Sequence, residues 1–328
     1  MEKVIKDFRT FKGKHCETTT TGTLLKQLGI DFSEPMLFGL GEGLGYIYWN
    51  MKIMDFPFIG GRIKPDVLTK NICKNLNLKL KIKETSSIKK AWENIVENID
   101  KDIAVGLKLD SYYLEYFTKK IHFAGHYVAM YRYDDKFAYL VDTIQQGSNT
   151  KTTLKNLELA RNEKGPMSSR NLSYTINKTK NNFDLKKIIK IAIKNNAKDY
   201  LNPPIKNIGY KGIVKTSEEI KKWFKNSKNI EREFSTTAML MEKAGTGGAI
   251  FRNFYRDFLK ESYSILKIDN INTTYQMFIE IADLWTQVSS LFKKIAETKN
   301  VKHINQASEI LLDLSKKEKI AMELLLKI

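Results

Sequence analysis

His15-Cys16-Glu17-Thr18-Thr19-Thr20-Thr21-Gly22-Thr23-Leu24-Leu25 decides how the first half of the chain is read, because it places a thiol on the opening turn of a helix. That helix is expected over 16–28, with Gly29 as its C-cap. A helix N-terminus favours the thiolate form of cysteine, and the thiolate is the nucleophile. A nucleophile requires a base, and suitable residues lie far downstream, in Gly125-His126-Tyr127-Val128 and Leu140-Val141-Asp142. Segments 123–133 and 136–142 read as two strands of a β-hairpin turning at Asp134-Asp135. A hairpin centred there sets Asp142 within one position of the residue opposite His126, so that a carboxylate can orient the imidazole. Cys16, His126 and Asp142 are therefore the candidate catalytic triad.

Working outward, 67–76 and 88–98 read as helices and 78–82 and 103–109 as strands. Segment 42–50, entered through Gly39-Leu40-Gly41-Glu42-Gly43, reads as a short helix. A polar stretch follows the hairpin, and 172–176 offers one more strand. Beyond Lys180 the pattern is helical, over 185–198, 217–224, 231–243, 248–266, 275–294 and 304–325. The division is expected near residue 180, with a catalytic domain over 1–180 and a helical domain over 181–328 that helps complete a substrate cleft. The fold class is α+β.

The 328 residues carry 55 Lys and Arg against 37 Asp and Glu, a formal charge of +18. Only eight of the basic residues are Arg, and Lys is less suited than Arg to bidentate phosphate or base recognition. Helix-turn-helix, zinc-finger and aromatic RNA-binding signatures are missing, so nucleic-acid binding is not expected, and the Lys, Asn and Ile bias reads as that of an AT-rich coding sequence. No apolar run spans a bilayer and the start lacks the apolar core of a signal peptide, which predicts a cytoplasmic protein without a membrane partner. Two cysteines, Cys16 and Cys73, make neither a disulfide framework nor a zinc site, and His15, His122, His126 and His303 complete no metal-ligand spacing. No metal is expected. Cys73 reads as a buried structural residue and His15 as a neighbour that shapes the turn.

Several motifs in order support a resemblance. His15-Cys16-Glu17-Thr18, Ser33-Glu34-Pro35-Met36-Leu37-Phe38-Gly39-Leu40-Gly41-Glu42-Gly43-Leu44-Gly45, Gly125-His126-Tyr127 and Val141-Asp142-Thr143 resemble the N-terminal domain of the butirosin biosynthesis protein H family. Glu242-Lys243-Ala244-Gly245-Thr246-Gly247-Gly248-Ala249-Ile250-Phe251-Arg252 resembles the glycine-rich motif of the helical domain that follows it. That family is similar to C39 cysteine peptidases, with a papain-like core. Its characterised members are acyltransferases that pass an acyl group from a carrier-protein thioester to an amine without ATP. The amide-forming enzyme of closthioamide biosynthesis is a further relative that the chain resembles.

The resemblance implies Cys16 as nucleophile, His126 as base and Asp142 as its orienter, in agreement with the hairpin. It implies an acyl or peptidyl carrier protein and a small amine as partners, and no cofactor beyond the phosphopantetheine that arrives on the carrier. Papain-like enzymes commonly place an oxyanion-binding Gln about six residues before the cysteine; here that position is Thr10. Glu42 and Tyr46 are candidates for lining the cleft, and Arg252 either for contacting the phosphopantetheine phosphate or for a surface salt bridge. The glycine runs 39–45 and 245–248 match neither dinucleotide nor Walker spacing and read as close packing or tight turns. Two other functions stay open: a C39-like cysteine peptidase or amidase using the same triad with water, and a non-catalytic carrier-binding protein.

Overall fold

A computed structural model describes residues 3–52, 54–165, 168–179 and 183–328. The chain divides into two units, one formed by Met1–Leu37 with Pro65–Phe183 and the other by Phe38–Lys64 with Asp184–Ile328. The division expected near residue 180 falls at 180–182, outside the described residues, and 38–64 groups with the helical part.

In the first unit, β1 (Lys3–Val4) precedes α1 (Cys16–Gln27), and α2 (Glu34–Leu40) leads into the second unit. Then come α3 (Val67–Asn75), β4 (Lys79–Lys83), α4 (Ile88–Ile99), β5 (Val105–Leu109), β6 (His126–Tyr133), β7 (Phe137–Val141), β8 (Asn149–Thr153), α5 (Leu154–Asn162) and β9 (Ser173–Asn177). These strands form one sheet in the order β4-β9-β5-β6-β7-β8, with β1 added on β6. Every pairing is antiparallel. The β6–β7 hairpin turns at Asp134, whose side chain accepts the N–H groups of Lys136 and Phe137. An irregularity between Met130 and Arg132 then shifts the register, so that Ala129 faces Val141 and Met130 faces Leu140.

Helix α1 is unusual in burying Thr18, Thr19, Thr20, Thr21 and Thr23. The hydroxyls of Thr19 and Thr23 satisfy themselves on the carbonyls one turn back, His15 O at 2.7 Å and Thr19 O at 2.8 Å, which removes the usual cost of a buried hydroxyl. Thr21 pairs with Thr69 of α3 at 2.8 Å. Gly22 admits the Phe11 ring: a Cβ there would lie 2.7 Å from its carbons. The helix ends as expected, with Gly29 in the left-handed region at φ 71°.

The second unit holds β2 (Leu44–Trp49) paired antiparallel with β3 (Phe58–Arg62), and the helices α6 (Leu185–Leu201), α7 (Gly209–Asn226), α8 (Ile230–Lys243), α9 (Arg252–Leu266), α10 (Asp269–Thr298) and α11 (Val301–Leu325). The helix expected at 42–50 is therefore a strand. Tyr46 and Tyr48 are buried while Ile47 and Trp49 are part-exposed, a period of two that Gly43 and Gly45 disguise in the sequence. Aromatic and β-branched residues fit a pleated surface better than a helix. Further elements escaped the sequence reading: the short strands β1 and β3, the helix α2, capped by Ser33 Oγ on the Met36 N–H at 3.0 Å, and β8 with α5, whose residues look polar. Among the described residues no helix is long and apolar enough to cross a membrane.

Candidate active site

Cys16 is the first residue of α1 and is partly exposed, whereas His126, which opens β6, and Asp142, just past the end of β7, are buried. His126 Nε2 lies 2.8 Å from Asp142 Oδ2. That bond leaves Nδ1 for the thiol, and Cys16 interacts with His126 both by a side-chain hydrogen bond and by charge. The three predicted residues are thus brought together. The register adds one correction, since the pairing of Ala129 with Val141 projects Asp142 opposite Val128 and reaches His126 diagonally.

Electrostatics favour a protonated imidazole. Burial is the largest influence on His126 and opposes its charge, but the charge and hydrogen bond of Asp142, with those of Cys16, outweigh it and push the pKa up to about 10. Asp142 is held in turn: Tyr116 donates its hydroxyl to Oδ2 at 2.9 Å and the Thr143 N–H donates to Oδ1 at 2.6 Å. Phe117 stands edge-on to the His126 ring with centroids 5.3 Å apart. Sequence reading missed Tyr116 and Phe117, because a loop between β5 and β6 carries no periodicity that would place it over a hairpin end.

The loop leading to Cys16 is clamped by Glu34. Its carboxylate accepts the N–H groups of Lys14 at 2.9 Å and His15 at 2.9 Å, and the Thr18 hydroxyl at 2.7 Å. Burial chiefly raises the Glu34 pKa, against those hydrogen bonds and the charge of Lys14. The neighbouring acid, Glu17, accepts the N–H and hydroxyl of Thr69, tying α1 to α3. Backbone and first turn around the thiol are therefore fixed by two buried carboxylates.

The other predicted residues are placed differently. Thr10 spends its single hydroxyl proton on Asn149 Oδ1 at 2.9 Å. In the second unit, Glu42 adopts φ 56° at the end of α2 and accepts a hydrogen bond from Asn195 at 2.9 Å. Tyr46 is buried with its hydroxyl on Thr216 at 2.6 Å. Arg252 is a core residue and not a surface cation. Its five N–H donors go to Glu318, Gly61, Ile250 and Tyr200, and it and Glu318 are both fully buried.

Cys73 is buried, and burial pushes its thiol up to about 12, as befits a structural cysteine. His303 pairs with Gln306, and His122 Nδ1 pairs with Asp110 at 3.0 Å. Asp110, His122 and Glu163 could offer ligand atoms within 4.8 Å of one another, a grouping without any spacing signature in the sequence.

Residues 15–143 match the family Butirosin biosynthesis protein H, N-terminal, and residues 155–325 match Domain of unknown function (DUF4872), which begins at α5. A search of curated proteins found no match. Both matched stretches contain the motifs that carried the resemblance, and the chain belongs to the butirosin biosynthesis protein H-like family, its N-terminal domain joined to a DUF4872 domain.

Proposed function

We propose that this chain is a biosynthetic acyltransferase that forms an amide, using Cys16 as nucleophile, His126 as acid and base and Asp142 as orienter. The observation that carries the reading is the placement of His126 between a buried carboxylate and a part-exposed thiol at a helix start. Family membership supports the biosynthetic setting.

In this reading the Cys16 thiolate attacks the carbonyl carbon of an acyl or peptidyl carrier-protein thioester. The backbone N–H of Cys16 supplies one oxyanion donor. As the tetrahedral adduct collapses, the carbon–sulfur bond to phosphopantetheine breaks and the departing thiol takes the proton of His126. The resulting acyl-Cys16 is a thioester of similar energy. A small amine then attacks it, His126 accepts the amine proton, and the Cys16 thiolate leaves as the amide forms. Aminolysis of a thioester is downhill, so neither nucleotide nor metal has a step, and phosphopantetheine enters only with the carrier. The likeness to the closthioamide enzyme belongs to this proposal.

The test is incubation of the full chain with an acyl carrier-protein thioester, followed by intact-mass measurement and then addition of amines. An acyl adduct present in wild type, absent in Cys16→Ala and discharged to amide by amines is the expected result. Amide formation that survives Cys16→Ala overturns the mechanism, and release of free acid alone in the presence of amines makes the protein a hydrolase of the peptidase or amidase kind.

A further inference from the structure

The first unit contains a second feature that the triad does not use. Arg161, in the last turn of α5, is 3% exposed. Its Nη1 donates to Ala91 O at 3.0 Å and its Nη2 to Asn171 O at 2.9 Å, while Nε has no hydrogen-bond partner. Both partners are neutral carbonyls. Among the described residues no carboxylate pairs with this guanidinium, and burial alone pushes its pKa down to about 10. A buried cation left without a counter-charge is costly, and proteins ordinarily pair it.

The same residue lines a cavity of about 250 Å³ between α4 and α5. The walls are apolar, from Ile88, Ala91, Trp92, Leu154 and Leu157, and the polar lining consists of Arg161, Lys155, Glu158 and Asn171. Two cations and one anion leave a net single positive charge in the lining, which matches a monoanion and opposes a dianion through Glu158. The volume lies just below the usual range of ligand pockets, which restricts the occupant to a small molecule. The two carbonyl bonds explain how Arg161 ties α5 to α4 and to Asn171, two residues before β9, but they neutralise nothing.

We propose that this cavity binds a small organic monocarboxylate with an apolar body, its carboxylate held by Arg161 and its body packed between Trp92 and Leu157. The guanidinium is a planar donor suited to bidentate carboxylate recognition. None of the lining residues belongs to the proposed triad, so the site is separate from the acyl-transfer chemistry and stands or falls independently of it.

The experiment is calorimetric titration of the full chain with benzoate and with neutral, isosteric benzamide. Saturable one-to-one binding of benzoate, with a dissociation constant of about 1 mM or tighter, is expected, and benzamide should bind about tenfold more weakly or not at all. Arg161→Met removes the cation but also two structural hydrogen bonds, so two rim variants accompany it. Ile88, 39% exposed, becomes a plug in Ile88→Trp, and Lys155→Glu reverses an exposed charge. Both should keep the wild-type melting temperature without ligand; the first should abolish benzoate binding and the second weaken it severalfold, while Cys16→Ala leaves it unchanged. Equal affinity for benzoate and benzamide, benzoate binding that survives Ile88→Trp, or absence of benzoate binding overturns the proposal.

Discussion

His126 Nε2 and Asp142 Oδ2 stand 2.8 Å apart inside the protein, and that contact governs the charge of the imidazole. Removing the negative charge in Asp142→Asn therefore lowers the His126 pKa from about 10. In the proposed mechanism the imidazolium protonates the leaving thiol, so the alkaline limb of acyl-enzyme formation should move to lower pH. The rate should fall by about 10³–10⁴-fold, the loss that follows when a triad acid no longer fixes its imidazole. Stability moves in the same sense. The His126 proton stabilises the fold fully below its unfolded value of 6.5, and that contribution disappears as pH rises through about 10. Denaturant titrations from pH 6 to 10 should show a falling stability in wild type and a flatter one in Asp142→Asn.

Tyr116 provides the opposite sign. Its hydroxyl donates to the same oxygen that holds His126, so it drains negative potential from the imidazole. Tyr116→Phe should leave more negative charge facing the imidazole and move the alkaline limb upward, with a severalfold loss of rate from about 1 kcal/mol of lost hydrogen bonding. A pH–rate profile distinguishes this from a general packing defect, which would lower the rate without moving the limb.

The pairing of His126 with Asp142 was legible because a hairpin is a local object. A turn at Asp134-Asp135 and two alternating strands suffice to bring its ends together, and the slip between Met130 and Arg132 costs only one register step. Cys16 was legible through helix-end chemistry. Tyr116, Phe117 and Glu34 were not, since each reaches its partner from a loop or a helix start whose position depends on packing across the unit. Arg252 misled because an arginine is ordinarily a surface residue and nothing beside it in the sequence offers a counter-charge; its partner Glu318 lies 66 residues away on α11, a separation that no local pattern reports. The strand at Leu44–Trp49 was lost to its glycines.

Glu34 separates the value of a carboxylate from that of its hydrogen bonds. Glu34→Ala orphans the N–H groups of Lys14 and His15 and the Thr18 hydroxyl beside the thiol, and should cost about 2–3 kcal/mol in denaturant unfolding. Glu34→Gln keeps an acceptor at the Oε1 position and removes a buried charge. Because burial raises the folded pKa above 4.5, the Glu34 contribution to stability is full below 4.5 and is lost as pH rises through the folded value. Glu34→Gln should therefore match or exceed wild type at pH 7 and lose that advantage near pH 4, a trend readable from unfolding midpoints at the two pH values.

Glu318 is the anchor of the second unit. Its Oε1 accepts Arg252 Nε at 2.8 Å and Trp285 Nε1 at 2.6 Å; its Oε2 accepts Arg252 Nη2 at 2.9 Å and the Tyr200 hydroxyl. A buried pair is weak evidence for net stabilisation, yet breaking one partner leaves the other charge stranded. Glu318→Leu strands Arg252 among Tyr46, Tyr200 and Trp285 and should cost about 3–5 kcal/mol. The double change Glu318→Leu with Arg252→Met removes both charges and should recover much of that loss, since apolar replacements of similar volume are often tolerated. Urea unfolding of the two variants checks this: a double variant no more stable than Glu318→Leu alone would mean that the hydrogen bonds to Trp285, Gly61 and Ile250, and not the stranded charge, hold the unit together.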